Sequence, residues 1–140
     1  MHPGGPLWAR RDVGAWSIPK GECEPGEEPL AAARREFAEE LGSEPPPGPA
    51  LGLGEIRQKS GKRVIAWALE GDLDAGTVVS NTFQVQWPPR SGRMIEVPEV
   101  DRAGWFGLDE ARLKLNPAQV KLVDRLVRSL EDSTAPIRYD

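Results

Sequence analysis

The sequence predicts an α/β or α+β sandwich, because segments with helical periodicity alternate with segments of strand character along its 140 residues. A chain of this length falls in the usual range for a single domain with one core. The 15 glycines and 14 prolines stand mainly between the patterned segments, where they mark turns. We therefore expect one domain over residues 1–140.

The first two predicted elements are a short strand and a long helix. Residues 15–18 form an apolar run that ends at Pro19, which cannot extend a central strand. Pro29 suits the first turn of a helix and Gly42 suits its end, so we predict a helix over residues 29–41. The apolar residues at helical spacing in this segment are Leu30, Ala33, Phe37 and Leu41.

The middle of the chain predicts a hairpin and two further strands. Residues 51–59 and 63–69 are extended segments joined by a Ser-Gly-Lys turn. Residues 78–87 and 103–108 are the other strand candidates, and residues 88–93 between them form a predicted surface loop. Residues 1–6 are typical of a turn rather than a strand.

A second helix is predicted near the end of the chain. Asn116 is a good N-cap and Pro117 a good first helical residue, so the helix spans about 117–130. We expect its apolar stripe to cover the core and residues 131–140 to form a tail. The stripe consists of Val120, Val123, Val127 and Leu130.

Charge and composition exclude several classes of protein. The 18 Lys and Arg against 22 Asp and Glu give a net charge of −4, so bulk charge does not favour nucleic-acid binding and no nucleic-acid partner is expected. A phosphate-bearing partner must then be held by local groups or by metal. No apolar run approaches the roughly 20 residues of a membrane span, and residues 1–11 lack the apolar stretch that is typical of a signal peptide. With Cys23 as its single cysteine, the chain is expected to be soluble and cytoplasmic.

The predicted first helix carries its acidic residues in an unusual place. Glu36, Glu39 and Glu40 are three and four residues apart, so their carboxylates project from neighbouring points and repel one another. Acids in the last turn also cost about 0.3–1 kcal/mol each against the helix dipole. Arg35 offsets part of this repulsion. Spacing alone leaves two interpretations open, a solvated outer face or a site for a hard divalent cation.

The residues around this helix match a longer pattern. From Gly21 the chain reads GECEPGEEPLAAARREFAEELGS, which resembles the Nudix hydrolase signature G-x5-E-x7-R-E-U-x-E-E-x-G-U, where U is apolar. We call residues 21–43 the box; only its last residue, Ser43, departs from the pattern. The matched positions are Gly21, Glu27, Arg35, Glu36, Phe37, Glu39, Glu40 and Gly42.

The resemblance implies a fold and an activity. The fold would be an α/β/α sandwich with a mixed β-sheet. The activity would be metal-dependent hydrolysis of a pyrophosphate bond in a nucleoside diphosphate linked to another moiety, with Mg²⁺ or Mn²⁺ as the cofactor. The alternative is a non-catalytic module of the same fold that binds or senses a nucleotide. Residues 54–58 and 80–92 are similar to a bacterial branch labelled as predicted NTP pyrophosphohydrolases.

The resemblance also implies roles for the box residues. The metal ligands would be Glu36, Glu39 and Glu40, joined by the backbone carbonyl of Gly21 or a neighbour. Arg35 and Glu27 would form an ion pair that orients the loop against the helix.

Family members place the general base either in the box or on a later loop. Within the box, Glu36 and Glu39 are the catalytic candidates. Outside it the candidate is Glu99, with Glu96 as the alternative and a plain loop carboxylate as the competing interpretation.

Substrate contacts are less specific in the sequence. The basic residues available for phosphate are Arg57, Lys59, Lys62, Arg63, Arg90 and Arg93, and most are expected to be solvated. A stacking partner for a base would be Trp67, Trp87 or Phe83, although a strand aromatic is more often core. Two substrate markers of the family, a proline and a tyrosine, are missing near residues 58–60, so NTP and dinucleoside polyphosphate substrates both stay open.

The start of the chain departs from the family pattern. Members usually have a strand before the segment that enters the box, whereas only twenty residues precede Gly21 here. We expect either that Met1 is an internal or misassigned start or that another chain supplies the strand. The second case predicts a homodimer, since an unpaired strand edge invites association.

Overall fold

The computed structural model describes residues 1–134 and confirms the α+β class. Helices and short strands are interleaved as the sequence predicts, and two 3₁₀ turns cover Ala75–Thr77 and Pro117–Gln119. In chain order the elements are β1 (His2–Pro3), α1 (Pro29–Leu41), β2 (Leu51–Arg57), β3 (Arg63–Ala68), β4 (Thr82–Gln86), β5 (Met94–Pro98), β6 (Val100–Arg102), α2 (Leu108–Lys114) and α3 (Val120–Thr134).

The strands form three separate two-stranded antiparallel sheets, which pair β1 with β6, β2 with β3 and β4 with β5. The expected mixed sheet is therefore not seen among residues 1–134, where parallel pairing is confined to the isolated bridge between Trp16 and Leu115. Both α1 and α3 contact the β2–β3 sheet. No helix in this part of the chain is long and apolar enough to cross a membrane.

Helix α1 has the predicted bounds. Pro29 opens it, and Gly42 ends it in the left-handed conformation, with φ of 76° and its N–H donating to the Ala38 carbonyl. A side chain at Gly42 would also meet the backbone of Val79, because a Cβ there would lie 2.4 Å from the Val79 oxygen. The end of α1 is thus packed tightly against the segment that leads into β4.

The buried core lies between the hairpin and α3. Its members Ile56, Val64, Ala66 and Leu122 are at most 8% exposed. Three members of the predicted α3 stripe, Val120, Val123 and Val127, are partly buried. The prediction was wrong in including Leu130, which is 52% exposed, and in omitting Leu122, which is 3% exposed. The helix also runs to Thr134 instead of about 130, and the rest of the predicted tail lies outside the described residues.

The prediction of a strand over residues 103–108 was wrong. Residues 103–107 have no regular structure, and Leu108 begins α2. The aromatic residues here make individual tertiary contacts and do not pair with a neighbouring strand. The Phe106 ring packs edge-on against Trp16 at 4.9 Å between centroids, and Trp105 Nε1 donates to the Leu73 carbonyl. The acids in the first turn of α2 and the bases in its last turn are the sequence signal for this helix.

The strand prediction over residues 15–18 was wrong, because this segment has only the isolated bridge at Trp16, and the remaining strand predictions were confirmed in part. The hairpin is confirmed with slightly shorter strands, while the candidate over residues 78–87 is a strand only at Thr82–Gln86. Strands β5 and β6 were missed. The prediction of a turn at residues 1–6 was wrong for His2 and Pro3, which pair with β6. The buried His2 explains this pairing, since its Nδ1 lies 2.9 Å from Asp101 Oδ1 and its Nε2 lies 2.6 Å from the Arg11 carbonyl oxygen.

Candidate active site

The loop before α1 is tied to the helix by one arginine. Arg35 donates from Nε and Nη2 to the two carboxylate oxygens of Glu27, both at 2.9 Å, and Nη2 also donates to the Glu22 carbonyl. This two-pronged ion pair lowers the pKa of Glu27 to about 2, chiefly through the Arg35 hydrogen bonds. The structure thus contains the Arg35–Glu27 ion pair that the resemblance implies, and this pair links the loop to α1.

Gly21 lies directly against the carboxylate of Glu36. A Cβ on Gly21 would lie 1.9 Å from Glu36 Cδ and 2.1 Å from Oε2, far inside van der Waals contact. Glycine is therefore the residue that lets the loop backbone approach this carboxylate. Glu36 Oε1 in turn accepts a hydrogen bond of 3.0 Å from Arg35 Nη1.

Glu40 is the buried carboxylate of the helix, with 7% exposure. Its Oε2 accepts a hydrogen bond of 3.0 Å from the Lys20 amide. The pKa of Glu40 is raised to about 7, chiefly by burial. The Lys20 amide hydrogen bond and the Lys20 charge oppose this rise, and the carboxylates of Glu36 and Glu99 add to it. A carboxyl group whose ionised form is disfavoured by burial and by like charges marks a candidate functional site.

Glu39 is the most open of the three box carboxylates, with its side chain 42% exposed. Its oxygens lie 3.4 Å from Arg35 Nη1, which also contacts Glu36. Arg35 thus offsets the repulsion along the acidic face, as the sequence predicts. These long contacts leave Glu39 the least constrained of the three.

Glu99 is brought toward the end of α1 by backbone hydrogen bonds. Asn81 N–H donates to the Glu39 carbonyl at 3.3 Å, and Glu99 N–H donates to the Asn81 carbonyl at 2.9 Å. The Glu99 carbonyl accepts from Gly4 N–H at 3.0 Å, which ties the same turn to the start of the chain. Glu96, the alternative base, instead accepts a hydrogen bond from the Thr82 hydroxyl across the β4–β5 sheet.

Glu40 and Glu99 line one cavity of about 530 Å³. Lys20 and Phe83 line the same cavity, so of the three predicted stacking residues only Phe83 is beside these carboxylates. A second cavity of about 650 Å³ lies between α1 and β3 and has a mostly apolar wall that includes Trp67. The two cavities share Met1 and Lys20.

None of the six predicted phosphate-binding residues lines the cavity of Glu40 and Glu99. Arg57, Lys59 and Arg90 are exposed and line neither cavity. Arg63 lines the larger cavity and pairs with Glu55. Lys62 also lines it and lies 3.2 Å from Glu22, and Arg93 is exposed.

The donor set suits a hard divalent cation in its chemistry, because Mg²⁺ and Mn²⁺ prefer carboxylate and carbonyl oxygens. The carboxylates do not converge, however, because within residues 1–134 no group of three or more His, Cys, Asp or Glu side chains is placed to hold a metal ion. Arg35 holds Glu36 and Glu39, and the Lys20 amide holds Glu40.

Two polar residues beside the cavity were given no role by the sequence. Gln119 is 0% exposed and hydrogen-bonds to the segment that enters the box, and Gln58 lines the cavity with Glu40. Nothing in the local sequence marks either residue, because both gain their surroundings from contacts across 61 to 101 positions of chain.

The fold and the acidic loop and helix define the class of protein as a small α+β domain whose candidate site is built on carboxylates. A family model described as the NUDIX domain matches residues 4–126, which is most of the chain. The chain therefore belongs to the Nudix family, whose members are hydrolases acting on pyrophosphate bonds and generally use divalent metals. No curated protein and no solved structure matches the chain.

Proposed function

We propose that this chain is a metal-dependent pyrophosphohydrolase acting on a nucleoside diphosphate linked to another moiety, of the NTP or dinucleoside polyphosphate type. The observation that carries the proposal is the buried Glu40 in one cavity with Glu99, on a helix that retains every box carboxylate. Membership of the bacterial NTP pyrophosphohydrolase branch stays a prediction.

Glu36, Glu39, Glu40 and the Gly21 carbonyl are the residues that would hold Mg²⁺ or Mn²⁺. The cation would neutralise the substrate's phosphate oxygens and the charge that develops as the anhydride bond breaks. Gly21 allows the loop to meet Glu36, and the Arg35–Glu27 pair holds that loop against α1. These two contacts support a positioning role for Arg35 and Glu27.

Glu99 is the general base in this proposal. It is exposed at the turn between β5 and β6, and its charge acts on Glu40, with which it lines one cavity. An ionised carboxylate there would accept the proton of the attacking water. Glu96 is engaged by Thr82 and does not line the cavity, which favours Glu99 over the alternative.

The experiment is a substrate panel of nucleoside triphosphates, dinucleoside polyphosphates and nucleotide sugars, each assayed for phosphate-product release with Mg²⁺, with Mn²⁺ and with a chelator. We expect release from at least one nucleotide and only with metal. Tight nucleotide binding by calorimetry with no release from any substrate would instead support the non-catalytic sensing module.

Location in the cytoplasm and assembly into a homodimer also remain proposals. Support for a dimer comes from apolar side chains left exposed on or beside strands, such as Ile65 at 49% and Val79 at 71%. Light scattering during gel filtration tests the dimer, and a monomer mass at all concentrations would contradict it.

A further inference from the structure

The side chain of Gln119 has one defined orientation. Its Oε1 accepts a hydrogen bond of 3.0 Å from Ile18 N–H, and its Nε2 donates to Ser17 Oγ and to Gln58 Oε1, both at 3.1 Å. A backbone amide only donates, so the oxygen of Gln119 must face Ile18. Ser17 agrees, because its hydroxyl donates its own proton to the Ile18 carbonyl and is left to accept from Gln119.

This orientation determines the orientation of Gln58. Since Gln119 reaches Gln58 with a donor, the oxygen of Gln58 must face Gln119 and its NH₂ group must face away. Among the described residues, no hydrogen-bond acceptor contacts that NH₂ group. The backbone of Gln58 is also held, because its N–H donates to the Lys62 carbonyl and its carbonyl accepts from Gly61 N–H.

Gln58 lines the cavity that contains Lys20, Glu40 and Glu99. The half-buried side chain of Gln58 therefore has a hydrogen-bond donor with no acceptor. If a bound substrate removes water from this NH₂ group and supplies no acceptor, the lost hydrogen bond costs free energy. The charged phosphoryl oxygens are the strongest acceptors that a nucleotide carries. The neighbouring Lys20 favours the same negatively charged group.

We infer that Gln58 is a substrate-binding residue that donates a hydrogen bond to a phosphoryl oxygen, and that Gln119 is the positioning residue that keeps its NH₂ group turned toward the cavity. This inference rests on the proposed function, because it takes the cavity of Glu40 and Glu99 as the pyrophosphate site.

The first test is Gln58→Glu. The new side chain keeps an oxygen for Gln119 Nε2 to donate to, but it replaces the NH₂ donor by an acceptor. KM for the best substrate of the panel should rise roughly tenfold or more while kcat changes less. The control is Gln84→Glu, which adds the same charge at an exposed glutamine outside the cavity and should leave both constants unchanged. Equal KM values for the Gln58 variant and wild type overturn the inference.

The second test changes Gln119, the residue that orients the Gln58 side chain. In Gln119→Glu the new carboxylate still accepts from Ile18 N–H but cannot donate, so Gln58 should turn its NH₂ group toward position 119. The ¹⁵N side-chain signals of Gln58 should then move and exchange more slowly with water, and KM should rise as in the first test. Unmoved Gln58 signals in a folded variant contradict the positioning role.

The third test uses the wild-type chain and requires no turnover. Inorganic pyrophosphate with Mg²⁺ should shift the Gln58 side-chain NH₂ signals, and adenosine alone should not. Two outcomes would overturn the inference about Gln58 and leave the proposed function standing. In one, pyrophosphate shifts the backbone signals of Lys20 and Glu99 but not the Gln58 side-chain signals. In the other, only adenosine shifts the Gln58 side-chain signals. No shift anywhere in the cavity from either probe contradicts the proposed function together with the inference.

Discussion

Replacing Gly21 by alanine should displace the Glu36 carboxylate without unfolding the protein. The new methyl carbon would lie 1.9 Å from Glu36 Cδ, whereas ordinary contact begins at 3.4 Å, so the carboxyl carbon must retreat by about 1.5 Å. The obstacle is the end of a flexible side chain and the Gly21 backbone is not left-handed, so we expect thermal stability close to that of wild type.

A displacement of this size is large for a catalytic site. A misplacement of about 1 Å can cost on the order of a hundredfold in rate, equivalent to about 2.7 kcal/mol of transition-state stabilisation. We therefore expect kcat/KM of Gly21→Ala to fall about a hundredfold in the phosphate-release assay. Gly52→Ala is the matched control, because nothing lies within 4 Å of a Cβ there, and its activity should equal that of wild type.

A double variant shows whether the collision is the cause. Glu36→Ala removes every Glu36 atom that the methyl group would meet, so adding Gly21→Ala to this variant should cost much less than Gly21→Ala costs in wild type. Full activity of a folded Gly21→Ala protein would refute the argument that Gly21 positions Glu36. Strictly additive losses in the double variant would refute the collision as the mechanism.

Three further predictions follow from single contacts. Ion pairing lowers the pKa of Glu27 to about 2 in the folded chain, from about 4.5 when unpaired. The stability that Glu27 contributes is therefore present above pH 4.5 and lost as the pH falls toward 2. Glu27→Gln should make the melting temperature fall less steeply over this pH range. Glu99→Gln should lower kcat by about 10²–10⁴-fold while Glu96→Gln leaves it near wild type, and equal effects in steady-state assays would contradict the choice of base. Leu122→Ala should reduce the free energy of unfolding in urea by about 2–5 kcal/mol, whereas the same change at the exposed Leu130 should cost little.

The sequence predicted best those features that depend on neighbours in the chain. Helix α1 begins at Pro29 and ends at Gly42 as expected, because both signals are local. The pairing of Arg35 with Glu27 spans only eight residues and follows the spacing of the box. These contacts need little from the rest of the fold.

The missed features depend on distant partners. His2 and Pro3 become a strand because Val100–Arg102 lies beside them, about a hundred positions away. Trp105 and Phe106 have strand-forming side chains, yet tertiary contacts with Leu73 and Trp16 hold them outside any ladder. The sequence did not indicate a role for Gln119 for the same reason, because its buried hydrogen bonds join three separate parts of the chain.

We propose that the box carboxylates carry out metal-dependent cleavage of a pyrophosphate bond. The most direct measurement is ³¹P NMR of the substrate panel incubated with wild type and with Glu40→Gln, in the presence of Mg²⁺ or Mn²⁺. We expect wild type to cleave a nucleotide diphosphate linkage and the folded variant to leave it intact. Cleavage by both proteins at the same rate, or by neither with any substrate, would contradict it.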